Sequence, residues 1–178
     1  AGFREAGSII EGERTDSIGG GICQVATTIY NAVYDSGLPI EERHNHSLYM
    51  AAYPDGRDAA VSYPLLDLVW KNDTESDILV TTSYTESSIT ANLIGVNPGY
   101  TVETEVGEWQ KGEKYTTKIE VDEEMTPGTY ALDTAGSDGQ VIEVKRTVKD
   151  RNGVVIREKT FASVYTPVTQ IVKVGPDT

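Results

Sequence analysis

Cys23 is the only cysteine in the 178-residue chain, and it closely follows three consecutive glycines at 19–21. A lone thiol cannot form an internal disulfide, so it is either a small packed side chain or a reactive group. At the start of a helix, the positive end of the backbone dipole stabilises a thiolate. Gly20 and Gly21 let a substrate carbonyl approach the backbone closely. Cys23 is therefore our candidate nucleophile, with nearby N–H groups and the Gln24 amide as an oxyanion hole.

Both histidines of the chain lie in the segment 41–47, which we predict to be a strand. A strand places His44 and His46 on one face, about 7 Å apart. Either imidazole can act as a general base toward Cys23 and later protonate a leaving amine. Asp58, which we expect on the adjacent strand, is the candidate for the group that orients this imidazole.

Each of these residues also has an alternative interpretation. Cys23 can be a core residue, the histidines can be surface residues, and the pair Arg57-Asp58 can be a structural salt bridge. A zinc site needs three or four ligands, and the thiol with both histidines only just reaches three. We therefore predict neither a metal nor another cofactor.

The elements that must position these residues are one helix and a series of strands. Apolar residues recur at helical spacing over 22–36, which predicts an amphipathic helix ended by Gly37 and Pro39. Alternation and β-branched composition predict strands in the rest of the first block. These strands cover 58–63, 66–70, 78–85 and 88–94. The predicted fold class is α+β, with one main helix packed on an antiparallel sheet.

A second block without helical periodicity follows. Its predicted strands cover 115–121, 141–148, 154–164 and 168–174. Asn152-Gly153, between two of these strands, is a strong hairpin signal. We place the boundary near residue 110, which gives a first domain at 1–110 and a small, extended all-β module at 111–178.

The charge of the chain excludes some classes of partner. The net charge is −13, from 15 Lys and Arg against 28 Asp and Glu. Residues 1–107 hold 5 of the basic and 16 of the acidic residues. Such a surface repels nucleic acid and anionic lipid, so we expect neither as a partner. The sequence also has no apolar run long enough to predict a membrane span.

Three motifs, in order, resemble the VanW family: GGGICQVATTIYNAV at 19–33, GLPIEERHNHS at 37–47 and GRDAAVSY at 56–63. The resemblance covers about 1–95. The family is named after vancomycin-resistance clusters, and it implies an extracellular protein of the Gram-positive-type cell wall, membrane-anchored in its full length. Family domains begin upstream of Gly2-Phe3, so the resemblance also implies an N-terminally truncated domain, whose activity in this form is in question.

Some members of this family are understood to be cysteine-dependent L,D-transpeptidases that make 3–3 cross-links in peptidoglycan. Carried over residue by residue, the resemblance makes Cys23 the nucleophile, His46 the base and Asp58 the orienting group. His44 ranks below His46 because the family tolerates other residues at its position. Arg57 is expected to hold a substrate carboxylate through a bidentate pair. The full set of substrate-binding candidates is Gly20, Gly21, Gln24, His44, Ser47 and Arg57.

The second block resembles a G-five domain over about 112–178. The residues that carry this resemblance are Pro127-Gly128, Gly136, Gly139, Gly153, Pro167 and Gly175. It implies a cell-surface β module that binds N-acetylglucosamine-containing glycans, although a passive spacer fits the same pattern.

Three functions are compatible with these residues. The first is a peptidoglycan L,D-transpeptidase, in which Cys23 forms a thioester with one stem peptide and an amine of a second stem resolves it. The second is a cysteine endopeptidase of peptidoglycan, in which water resolves the same thioester. The third is a non-enzymatic cell-wall or glycan-binding surface protein with a packed Cys23. The first two differ in whether the site excludes water, which sequence does not reveal.

Overall fold

The computed structural model describes residues 5–10 and 13–176, with side chains from residue 19 onward. Gly2-Phe3, near which the expected upstream segment of the family domain ends, lies outside these ranges. Within them the chain forms one helix, α1 (Ile22–Asp35), and thirteen strands. The strands are β1 (Glu5–Ile10), β2 (Glu13–Ile18), β3 (Ile40–Glu42), β4 (Val69–Trp70), β5 (Leu79–Tyr84), β6 (Ile89–Ile94), β7 (Thr101–Val106), β8 (Gln110–Lys111), β9 (Thr117–Val121), β10 (Tyr130–Thr134), β11 (Gln140–Lys149), β12 (Val155–Tyr165) and β13 (Gln170–Val174).

The strands pair almost entirely in antiparallel fashion. The largest sheet has the order β12-β11-β7, with β8 also paired to β11. A second sheet has the order β10-β13-β9, in which β13 and β9 run parallel. The pairs β1-β2, β3-β4 and β5-β6 complete the described strands. One helix with mostly antiparallel strands confirms the predicted α+β class.

Helix α1 is the amphipathic helix predicted from the sequence, one residue shorter at its C-terminal end. Its buried residues include Tyr30, Val33 and Tyr34, which are fully inaccessible to solvent. They pack in one cluster with Val144 of β11 and Phe161 of β12. Burying a side chain of this size contributes about 2 kcal/mol. The core therefore joins the helix of the first block to the long hairpin of the second.

Arg146 of β11 fixes the C-terminal end of α1 on this sheet. Its guanidinium is 3% exposed and donates hydrogen bonds to the backbone carbonyls of Val33, Tyr34 and Leu38, at 2.6 to 3.3 Å. The last carbonyls of a helix have no partner within the helix, so an external donor stabilises this end. The sheet that carries the helix thus contains strands that follow the predicted boundary.

The region around residue 110 contains paired strands on both sides. β7 precedes the predicted boundary and pairs with β11 over Thr101–Val106. β8 lies at the boundary and pairs with the opposite end of β11. A boundary near residue 110 stays a prediction.

Two predicted strands of the first block are wrong. In place of a strand at 58–63 there are only isolated bridges, His44 to Ala60 and Ser62 to Leu66. The segment 66–70 forms a strand only at β4. No strand forms at 58–63 because a side chain, and not a neighbouring strand, bonds the backbone of Ala59. The N–H of Ala59 donates to Thr27 Oγ1 at 2.9 Å, and Thr27 Oγ1 donates to the carbonyl of Ala59 at 3.1 Å.

The predicted strand at 41–47 is also wrong beyond Glu42, where β3 ends. The backbone N–H of His46 donates to the Asp58 carboxylate at 2.7 Å instead of to a neighbouring strand. His44 and His46 therefore do not form the expected pair on one strand face. His44 is exposed and bonded to Glu42, whereas His46 is buried.

Candidate active site

The first turn of α1 places Cys23 beside a glycine-rich loop. Gly19 and Gly21 have φ angles of +101° and +86°, which favour glycine over any residue with a Cβ. The N–H groups of Gln24 and Val25 donate to Gly21 O at 3.1 and 3.3 Å, so the helix begins directly after Gly21. Cys23 is half-buried and is the second helical residue, as the sequence predicted.

The thiol of Cys23 lies between a carbonyl and an imidazole. Sγ is 3.5 Å from the backbone oxygen of Val61, to which a thiol can donate. The imidazole is that of His46, and its interaction with the thiol lowers the pKa of Cys23 below 9.0. This effect outweighs burial, which acts in the opposite direction. The site therefore favours the thiolate.

His46 is held from its other side by Asp58. Nδ1 of His46 lies 2.7 Å from Oδ2 of Asp58, which leaves Nε2 as the ring nitrogen for Cys23. Burial disfavours a charged imidazole, but the interactions with Asp58 and Cys23 outweigh it and raise the pKa of His46 from 6.5 to about 9. His46 is 6% exposed, so these interactions act with little screening by water. Of the three side chains predicted as catalytic, His46 thus interacts with both Cys23 and Asp58.

Asp58 accepts further hydrogen bonds that keep it ionised. Oδ1 accepts from Nη2 of Arg43 and from the hydroxyl of Tyr165, each at 2.8 Å. Burial alone raises the pKa of a carboxyl group, but the bonds from His46, Arg43 and Tyr165 lower the pKa of Asp58 below its usual value. The carboxylate is therefore a fixed negative charge behind the imidazole.

Tyr53 covers one face of the base. Its ring stacks on that of His46, with centroids 5.6 Å apart and planes inclined by 22°. This stacking restricts rotation of the imidazole, so the ring stays between Cys23 and Asp58.

Other predicted substrate-binding residues lie elsewhere or make different contacts. His44 Nε2 is 2.8 Å from Glu42 Oε1 on an exposed edge. Arg57 bonds Asp35 at 2.6 Å, and its guanidinium lies 4.1 Å from the centre of the Tyr34 ring. The structure does not bring the side chains of His44 and Arg57 into contact with Cys23.

The remaining candidates lie nearer the nucleophile. Gly20 and Gly21 form the loop before α1, and Gln24 is exposed next to Cys23. Ser47 follows His46, and its carbonyl accepts hydrogen bonds from the backbone and side chain of Thr166. These positions surround the base and the start of the helix.

An open cleft of about 470 Å³ lies beside the start of α1. Gln24 and Val25 form one wall, and the turn of the β5-β6 hairpin, residues 82–89, forms the other. Hydroxyl side chains dominate this turn, with Glu86 as its single charged residue. The cleft gives an extended polar ligand room next to the helix that carries Cys23.

Sequence reasoning missed three side chains that support the line. Arg43 could have been predicted, because it lies three residues before His46 in the motif at 37–47 that resembles the VanW family. Tyr53 lies in an irregular segment, and Tyr165 is 107 residues beyond Asp58. No local pattern reports a contact at that separation.

The fold and site together describe a mixed α+β protein with a Cys-His-Asp line at the start of its helix. Residues 1–94 match the family model described as "VanW like protein", and residues 103–177 match the one described as "G5 domain". The chain therefore belongs to the VanW family and carries a G5 domain behind the VanW domain. Both resemblances predicted from the sequence are confirmed.

Among known proteins, the chain is similar to "Uncharacterized protein YoaR" of Bacillus subtilis (strain 168), at 40% identity over 79 residues. The match covers 44% of this chain, and the chain spans about a quarter (26%) of that relative's length.

Two solved structures also resemble part of the chain. "IgA1 Protease G5 domain structure" has 18% identity and a TM-score of 0.31, covering 44% of this chain and 92% of that one. "Crystal structure of HP0197-G5" has 18% identity and a TM-score of 0.24, covering 43% and 97%.

The two domains together identify an extracellular, cell-wall-associated protein, as the sequence resemblance implied. Among the described residues, no helix has the length and apolar character needed to cross a membrane.

Proposed function

We propose that this chain is a cysteine acyltransferase of the cell wall, an L,D-transpeptidase that cross-links peptidoglycan through a thioester on Cys23. One observation carries the proposal: Asp58 holds the imidazole of His46 at 2.7 Å, and the interaction of Cys23 with His46 shifts the two pKa values toward a thiolate and an imidazolium. A packed structural thiol needs no charged imidazole beside it. A nucleophilic cysteine does, because the thiolate is the reactive form.

In the proposed chemistry the two ring nitrogens of His46 have different roles. The Cys23 thiolate attacks a stem-peptide carbonyl, and collapse of the adduct breaks the C–N bond to form a thioester. The departing amine takes its proton from the His46 imidazolium. An amine of a second stem then attacks the thioester and gives its proton to His46, and the thiolate leaves. Asp58 holds Nδ1 throughout, so the same nitrogen, Nε2, faces the reaction in both steps.

The start of α1 supports the approach of such a carbonyl. A side chain built at Gly19 or Gly21 would meet no atom within 4 Å, so the loop faces open space. The N–H groups of Ile22 and Gln24 donate to the carbonyls of Gly19 and Gly21, so the N–H of Cys23 is the backbone donor that we propose for a developing oxyanion. Gln24, on the wall of the cleft, is placed to add its side-chain amide.

Stem peptides are the proposed substrates because they supply both the carbonyl that is attacked and the amine that accepts. The G5 domain supports a second proposed partner, the glycan component of the wall, including chains that contain N-acetylglucosamine. Binding of such glycan would hold the enzyme close to its stem-peptide substrates.

The test is incubation with purified peptidoglycan, followed by mass spectrometry of the released muropeptides. Wild type is compared with Cys23→Ala and with the control His44→Ala, since the His44 side chain bonds Glu42 at an exposed edge. We expect 3–3 cross-linked dimers with wild type and with His44→Ala, and none with Cys23→Ala.

Two outcomes contradict the proposal in different ways. Cysteine-dependent loss of cross-links, with release of monomers, assigns the endopeptidase reaction, in which water resolves the thioester. Identical muropeptides from wild type and Cys23→Ala leave a non-enzymatic wall-binding protein.

A further inference from the structure

We infer that β12 of the G5 domain forms part of the catalytic unit, with Tyr165 as a residue that positions Asp58 from outside the VanW domain. The inference rests on the proposed function, in which Cys23, His46 and Asp58 act together as the catalytic residues. It goes beyond that proposal by assigning the second domain a role in the chemistry of the first.

The direct contact is the hydrogen bond from the Tyr165 hydroxyl to Asp58 Oδ1, at 2.8 Å. Oδ2 of the same carboxylate is occupied by the backbone N–H and Nδ1 of His46, each at 2.7 Å. The donors on Oδ1 therefore determine how the carboxylate is turned toward the imidazole. Of the two donors there, Arg43 comes from the VanW domain and Tyr165 from the end of β12.

Arg43, the other donor, is itself held by β12. Its Nη1 donates to Ser163 Oγ at 3.0 Å, while its Nη2 bonds Asp58. Ser163 is fully buried and lies two residues before Tyr165 on β12. Both donors to this oxygen of Asp58 therefore depend on β12, Tyr165 as part of the strand and Arg43 through Ser163.

The backbone of β12 also holds the segment that carries His46. Asn45 Nδ2 donates to Val164 O at 2.8 Å, and Thr166 N–H donates to Ser47 O at 2.7 Å. The residues on both sides of His46 are therefore bonded to the strand that supplies Tyr165. These bonds fix the backbone on both sides of His46, and the bond to Asp58 fixes its ring.

An aromatic cluster shields the Tyr165 hydroxyl from water. The Tyr165 ring lies 5.5 Å from the Tyr49 ring and 6.0 Å from the Trp109 ring, measured between centroids. Tyr49 and Trp109 both donate to Asp55, at 2.9 and 3.3 Å, and neither bonds Asp58. The cluster therefore offers a matched control, because two tyrosines of one cluster donate to different aspartates.

The experiment compares Tyr165→Phe with Tyr49→Phe in the full chain. Both substitutions keep the ring and remove one hydroxyl, but only Tyr165→Phe removes a donor from Asp58. Loss of that donor raises the pKa of Asp58. The carboxyl then becomes neutral at a higher pH and no longer stabilises the His46 imidazolium there. Carbon-13 NMR of the Asp58 carboxyl measures its titration directly, and the pH profile of Cys23 alkylation by iodoacetamide measures the effect on the thiol.

We expect Tyr165→Phe to move the Asp58 titration and the acid limb of the alkylation profile to higher pH. At the acid end of the profile the rate should fall about tenfold, the size expected for one hydrogen bond to a charged group. Tyr49→Phe should match wild type in both measurements. If Tyr165→Phe does not fold, Ser163→Ala, which removes a hydrogen-bond partner of Arg43, is expected to move both measurements in the same direction by less.

Unchanged titration of Asp58 in Tyr165→Phe overturns the inference, as does an equal shift in Tyr49→Phe. Neither measurement uses peptidoglycan, so failure of the muropeptide assay leaves this result standing and contradicts only the transpeptidase reaction. A positive muropeptide assay with no shift in Tyr165→Phe contradicts only the role of Tyr165.

Discussion

Replacing Asp58 with Asn tests whether the buried charge network holds both the fold and the reactive thiol. The substitution keeps the shape of the side chain and removes its charge. The Asp58 and Arg43 side chains are 4% and 2% exposed, so a neutral amide in place of the carboxylate leaves a buried guanidinium without its counterion. If the amide oxygen stays toward Arg43 and Tyr165, the amide NH₂ takes the position of Oδ2, where His46 donates two hydrogen bonds.

The expected loss of stability follows from these contacts. Removing one partner of a buried ion pair costs about 3–5 kcal/mol. The two N–H groups of His46 now face the NH₂ group of the substituted side chain, which is also a donor. An unmet hydrogen bond in a buried site costs about 1–3 kcal/mol, so we expect a loss in the upper part of the range of about 3–5 kcal/mol. The pKa of His46 falls because its anion is gone, and the pKa of Cys23 rises in response. Alkylation of Cys23 just below neutral pH should slow about tenfold, equivalent to one pKa unit.

Urea unfolding followed by Trp70 and Trp109 fluorescence measures the first effect, and iodoacetamide kinetics measure the second. Asp55→Asn is the matched control, because Asp55 is less buried and accepts only from Tyr49 and Trp109. We expect that control to lose at most about 1.5 kcal/mol. An Asp58→Asn variant within about 1 kcal/mol of wild type, with unchanged alkylation, would refute the reasoning.

Three further predictions concern pH, helix docking and the glycines. Because the pKa of His46 is raised from 6.5 to about 9, the stability that His46 adds to the fold is complete below pH 6.5 and is lost as the pH rises through about 9. The free energies of unfolding in urea of wild type and His46→Gln should therefore converge at the alkaline end of this range. Arg146→Ala should lower the free energy of unfolding by about 3 kcal/mol or more, since buried carbonyls at the end of α1 lose their donor, and equal stability would contradict the assigned contact. Gly21→Ala should cost about 1–2 kcal/mol for its positive φ alone. Gly56→Ala should cost more by the same assay, because its added Cβ would lie 2.7 Å from Val144 Cγ2.

The sequence predicted the parts of the site that depend on local order. The glycines, the apolar stripe of α1 and the order Cys23, His46, Asp58 are all read from short windows, and the three side chains do form one line. The hairpin of β11 and β12 was predicted by Asn152-Gly153 and by strong alternation. Local windows succeed here because helix periodicity and turn chemistry are local properties.

The missed features depend on contacts between distant segments. The predicted strand at 58–63 has strand-like composition, yet Thr27 and His44 take the backbone groups of Ala59 and Ala60. β7 and β10 were missed because most of their side chains are exposed, so they show little hydrophobic alternation. The ordering of His46 by β12 depends on tertiary packing, which no window of a few residues contains.

The hydrogen bond between Asp58 and Tyr165 also has a consequence for the order of folding. It closes a loop of 107 residues, and contacts of such separation form late because the chain entropy of closing the loop opposes them. A chain that emerges N-terminus first exposes Cys23 long before β12 exists. Until that last long strand arrives, Asp58 lacks one donor and Arg43 lacks its support. If Cys23 acts as proposed, we therefore expect the thiol to reach its full reactivity only after β12 has joined the fold.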